Sequence, residues 1–147
     1  MSELLILALT LILCLYWFRY NCRAILKTAA ASDRVRQVAA ANQLTFPEVL
    51  DTVESRAEGE LDRLNEALLR DYLVLTCLLR YTSGPRWAGY TVEQRILILD
   101  FRFLQSWYRL TRGIMPGAAR RALRERARIL THFASTLGER SAALSRT

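Results

Sequence analysis

Residues 96–110 read ILILDFRFLQSWYRL, a run apolar enough for a membrane interior yet carrying Asp100, Arg102 and Arg109. On a helical wheel Ile96, Leu99, Phe103, Trp107 and Leu110 share one face, and Leu97, Phe101, Leu104 and Tyr108 widen it to about half the circumference. Arg95, Arg102 and Arg109 fall seven apart on the opposite face. Each arginine costs several kcal/mol in hydrocarbon, so the pattern predicts a core helix of a water-facing bundle and not a second membrane span. Asp100 alone points into the apolar arc, between Leu104 and Trp107. A buried carboxylate requires a partner, and the expected ones are Arg80 or Arg70, or the polar atoms of Trp107 or Tyr108.

Toward the N-terminus the pattern changes. Leu4–Phe18, LLILALTLILCLYWF, has no charge and one polar residue, Thr10. Its 15 residues are fewer than the ~20 that a bilayer core asks for, but Tyr20 and the long stems of Arg19 and Arg23 extend the effective span. A cleaved leader wants positive charge ahead of the apolar tract, whereas here Glu3 precedes it and Arg19, Arg23 and Lys27 follow. The expectation is a single-pass anchor in a membrane, taken as a bacterial inner membrane, with the N-terminus outside and the remainder cytoplasmic. Tyr16, Trp17, Arg19, Tyr20, Arg23 and Lys27 are the expected membrane-interface residues.

The rest reads as all-α, because period-two alternation is absent and Ala, Leu, Arg and Glu dominate. The expected organisation is an anchor over residues 1–22, a juxtamembrane helix or linker over 23–44 and a cytoplasmic bundle of about three main helices over 45–147. The first helix is expected to run to about Asn42, with Ser32 and Asp33 as the hinge. Thr45 and Glu48 have capping-box spacing, with Pro47 in the first turn, and the following stripe of Leu50, Val53, Ala57, Leu61, Leu64, Leu68, Leu75 and Leu79 predicts one long helix to Tyr81, bent at Gly59. Gly84 and Pro85 end it, and Thr91 with Gln94 starts a helix to about residue 113. After Gly113, Pro116 and Gly117 a last helix reaches about Ala143, with Leu123, Leu130, Leu137 and Leu144 seven apart beside Ala127 and Ala134. Arg126 and Arg140 interrupt that seam, which favours packing inside the bundle over a homodimeric zipper.

Net charge is +7, from 21 basic and 14 acidic residues, and Lys27 is the sole lysine. Residues 44–71 hold eight acids against three arginines, a balance of −5, whereas residues 112–128 hold six arginines against Glu125, a balance of +5. The two segments either complement each other as neighbouring helices, or leave Arg120, Arg121, Arg124 and Arg128 to meet anionic lipid headgroups. Arg95, Arg102 and Arg109 are further candidates for lipid or a partner, as are Trp87 and Tyr90 in the loop GPRWAGY. Nucleic acid is a poor fit, since no recognition motif accompanies the charge.

Three cysteines without a CxxC pair give neither a zinc site nor a disulfide framework, and Cys77 is expected as a buried filler. His132 is the single histidine and is expected at a helix rim. With no phosphate-cradling glycine loop and no assembled Ser-His-acid set, neither a catalytic centre nor a cofactor is expected. The leading expectation is a non-enzymatic accessory, assembly or structural subunit of a larger membrane protein complex. The alternatives are a membrane-surface sensor that reads anionic lipid through its arginine helix, and a small membrane-bound enzyme or redox subunit.

Overall fold

The computed structural model describes residues 1–27, 33–53, 55, 58–82 and 90–146 and folds them into six α-helices without a strand among these residues. They are α1 (Ser2–Lys27), α2 (Asp33–Ala41), α3 (Phe46–Thr52), α4 (Leu61–Thr82), α5 (Val92–Thr111) and α6 (Pro116–Leu144), with a 3-10 turn at Glu58–Glu60 leading into α4. The all-α fold with one long apolar N-terminal helix and a bundle after it is the one expected from the sequence.

The bundle is organised around α6. Its 29 residues give a rod ~43 Å long, against which α5 and α4 pack most extensively and α2 and α3 also rest. The Leu/Ala seam explains this role: Leu123, Ala127, Leu130, Ala134 and Leu137 are buried, and the alanines let neighbouring backbones come close. Gly138 serves the same end, since its α-carbon faces the Arg34 side chain of α2 so closely that an added Cβ would sit 3.4 Å away. Leu144, the fourth leucine of the seam and the last residue of α6, is 67 % exposed.

The stripe from Leu50 to Leu79 does not form one helix. Phe46–Thr52 ends after two turns, and α3 packs on both α4 and α6, an arrangement that a straight continuation into α4 would forbid. Gly59 lies in the 3-10 turn between them, where its weak helix propensity favours the break; Ala57 lies outside the described residues. The predicted hinge is half visible: Asp33 opens α2, and Ser32 lies outside the described residues. A Schellman motif closes α2, with the Leu44 amide donating to Ala39 O and the Gln43 amide to Ala40 O. Gln43 takes the left-handed conformation, φ 52°, that glycine usually supplies.

The two predicted capping boxes part company. At α5 both reciprocal bonds form: the Gln94 amide donates to Thr91 Oγ1 at 3.3 Å and the Thr91 amide to Gln94 Oε1 at 3.1 Å. At α3 the Thr45 side chain makes no cap, because Thr45 sits at φ −105°, ψ −8° instead of the extended geometry a cap needs. The donors are taken by Asp71 from α4. Its Oδ2 accepts from the Thr45 amide (2.6 Å), the Thr45 hydroxyl (3.1 Å) and the Phe46 amide (2.7 Å), a carboxylate held at the positive end of a short helix.

Polar groups also enter the core. Arg126 is fully buried, its guanidinium 4.4 Å above the Phe101 ring, on which Tyr72 stacks with ring centroids 4.2 Å apart. Its Nη1 donates to Asn65 Oδ1, Nε and Nη2 have no partner among the described residues, and burial pulls its pKa down to about 10. Cys77, expected to be buried, is exposed: the inward stripe of α4 runs through Leu68, Asp71, Leu75 and Leu79, and position 77 falls on the far side of the helix. His132 is half-buried, and burial holds its imidazole below the ordinary histidine range.

Candidate functional site

The most elaborate polar arrangement lies where α1 crosses α5 and α6. As far as Trp17 the helix stands clear of the bundle: Leu4, Leu9, Ile12, Leu13 and Trp17 are all more than 60 % exposed. A buried core helix is thereby excluded for this tract, and α1 is long and apolar enough to cross a membrane. At Phe18 contact with the bundle begins, Cys22 is fully buried, and Ile25 and Leu26 pack against the core.

Arg19 is the pivot of this joint. Its Nη1 donates to Asp100 Oδ1 at 2.5 Å, its Nη2 donates to Glu125 Oε2, and Arg23 adds a bond to Glu125 Oε1 at 3.1 Å. The Asp100 side chain is 1 % exposed, Glu125 15 % and Arg19 20 %, so the pairing is shielded from water as a surface pair is not. Burial pushes the Asp100 carboxyl up, and the Arg19 guanidinium opposes that shift.

Asp100 is therefore buried and partnered as the wheel requires, but its partner is neither Arg80 nor Arg70 nor a neighbour on its own helix. Arg70 instead approaches Asp71, at 3.9 Å, and the Tyr108 hydroxyl donates to Asp62 at 2.9 Å. The wheel is also rotated. Leu97, Phe101, Leu104 and Tyr108, the widening half of the arc, are buried, whereas Leu99 (59 %), Phe103 (39 %), Trp107 (42 %) and Leu110 (66 %) face outward. Asp100 sits at the boundary between these halves. The apolar arc of α5 is thus two faces, one covered by α4 and α6 and one open beside α1.

Two clefts flank the joint. One of about 330 Å³ is lined by Arg19, Phe103, Trp107 and Arg121 among others. The second, about 580 Å³, is lined by Arg23, Leu26, Arg121, Arg124, Glu125 and Arg128. Of the candidate arginines on α6, Arg121, Arg124 and Arg128 thus come together with Arg23 from α1, and Arg120 lines neither cleft. Arg95, Arg102 and Arg109 are exposed along α5 away from both clefts. Tyr16, Trp17 and Tyr20 are exposed around the end of the apolar tract. Tyr90 is half-buried, its hydroxyl donating to Thr76 O at 3.1 Å. Trp87 and the Lys27 side chain lie outside the described residues.

Sequence reasoning missed Glu125 and Cys22. A signal for the first existed, since Glu125 is the lone acid among the six arginines of residues 112–128. Among the described residues no three His, Cys, Asp or Glu side chains converge as a metal site would need. No family model, curated protein or solved structure matches this chain.

Proposed function

We propose that this chain is a non-enzymatic, single-pass membrane protein that serves as an accessory or assembly subunit, its bundle lying at the cytoplasmic face and engaging a partner protein beside the membrane. The observation that carries the reading is the open apolar face of α5. Leu99, Phe103, Trp107 and Leu110 form a continuous strip, with Phe103 and Trp107 stacked at 6.4 Å, next to the point where the apolar tract of α1 ends. Contiguous exposed apolar surface of this kind is characteristic of interaction sites. The ion-paired joint adds to it, because a bundle tied to its anchor presents that strip at a fixed height above the bilayer. The order of charges around the apolar tract favours a cytoplasmic bundle.

A photo-crosslinking amino acid placed at Leu99 or Leu110 in cells tests this reading against one placed at Leu73, which is 64 % exposed on α4. A discrete heteromeric adduct at the α5 positions alone, co-purifying in mild detergent at constant stoichiometry, is expected. Adducts to itself only, or equal adducts at Leu73, would contradict the proposal.

A further inference from the structure

The cleft formed by Arg23, Arg121, Arg124 and Arg128 has the composition of an anion site. Positions 121, 124 and 128 are three and four apart, so their side chains rise from one face of α6, and like charges at these spacings oppose each other unless an anion lies between them. Glu125 also lines the cleft and pairs with Arg23 there, its other oxygen going to Arg19, so its ion pairs reach neither Arg121 nor Arg128. Arg124 has a contact of its own within the chain. Arg121 and Arg128 are exposed and have no acidic partner among the described residues.

Depth decides what the anion is. Arg23 follows Phe18, the end of the apolar tract, by five residues, which at 1.5 Å per residue is ~7 Å along the helix. Headgroup layers extend roughly 5–8 Å beyond the hydrocarbon on each side, so Arg23 and the cleft behind it stand at phosphate level. Guanidinium forks suit phosphate oxygens bidentately, and Leu26 gives the cleft an apolar wall for the glycerol end of a lipid. From this geometry we infer that the cleft between α1 and α6 binds the phosphate headgroup of an anionic phospholipid. The inference rests on the membrane reading of α1 and not on the partner assigned to α5.

The test uses the full chain in an uncharged detergent, titrated with phosphatidylglycerol, phosphatidylcholine or inorganic phosphate, with binding read by native mass spectrometry and thermal shift. Phosphatidylglycerol should bind at least tenfold more tightly than phosphatidylcholine. At about fivefold per arginine, R121Q/R128Q should weaken it by ~30-fold. R36Q/R63Q, with the same loss of charge elsewhere on the surface, should leave it within about twofold, and far-ultraviolet circular dichroism should show both variants folded. Equal loss in the two variants, or inorganic phosphate binding as tightly as the lipid, would overturn the assignment. Extraction of the chain from membranes by alkaline carbonate is scored separately: release would refute the membrane reading of α1, whereas retention without lipid preference refutes the site alone.

Discussion

Asp71 and Asp100 are both buried carboxylates on core helices, yet they do opposite work. Asp71 accepts two backbone amides and a hydroxyl from the start of α3, all within the bundle. Asp100 meets a guanidinium from α1, whose apolar tract projects away from the bundle. The first satisfies donors that the fold itself generates, and the second ties two regions together. Burial of a carboxylate is therefore no guide to its purpose until the partner is known: neutral donors mark a structural cap, and a charge from a distant segment marks a joint.

The contrast predicts different outcomes on removal. Asp71→Ala leaves two backbone amides of α3 without acceptors, and at roughly 1–3 kcal/mol for each unsatisfied buried group the bundle should lose about 3–5 kcal/mol in urea unfolding. A loss below about 1 kcal/mol would show that water replaces Asp71 and that the cap contributes little.

Arg19→Met strands the Asp100 carboxylate in a buried site and should cost about 2–3 kcal/mol at neutral pH, less than an inescapable buried charge because Asp100 can take up a proton. The sign of the pH dependence follows from burial. A carboxyl whose folded pKa is raised binds its proton more readily in the folded state, so its penalty is present above that pKa and is relieved as pH falls toward the ordinary aspartate range. The deficit of Arg19→Met relative to wild type should therefore shrink between pH 7 and pH 4. A constant deficit across that range would mean that Asp100 is not the group left exposed to the loss.

Asp100→Leu should change bundle stability least, within about 1 kcal/mol in either direction, since an apolar residue of similar volume removes the desolvation of the carboxylate along with its ion pair. Arg19 retains Glu125 in that variant. A loss as large as that of Asp71→Ala would erase the distinction between cap and joint.

How far these features can be read in the sequence follows from the range of the interactions. Local chemistry is legible: the Thr91–Gln94 capping box, the extent of α5, the Leu/Ala seam of α6 and the apolar tract of α1 all depend on residues a few positions apart. Asp100 stands out because it breaks a periodic pattern. What periodicity does not supply is which half of a wide apolar arc its neighbours cover, and so it assigns Leu99, Phe103, Trp107 and Leu110 to the core when they lie outside it. The Asp71 cap and the Arg19–Asp100 pair span 26 and 81 positions, beyond any local rule, and the apparently continuous stripe from Leu50 to Leu79 conceals the turn that makes the Asp71 cap possible.

Arg19, paired with Asp100 and Glu125, holds α1 closed on the bundle, and Cys22 reports on that closure directly. Cys22 is fully buried in the joint, whereas Cys77 is exposed on α4. Maleimide modification of the full chain in uncharged detergent, resolved by peptide mass spectrometry, should proceed at Cys77 while Cys22 is protected by ~100-fold or more, the factor expected for an opening free energy near 3 kcal/mol. Arg19→Glu, which sets a third carboxylate against Asp100 and Glu125, should bring Cys22 close to the rate of Cys77, and Arg36→Glu should leave it protected. Modification of Cys22 at the rate of Cys77 in the wild-type chain, or undiminished protection in Arg19→Glu, would show that Arg19 does not hold the joint.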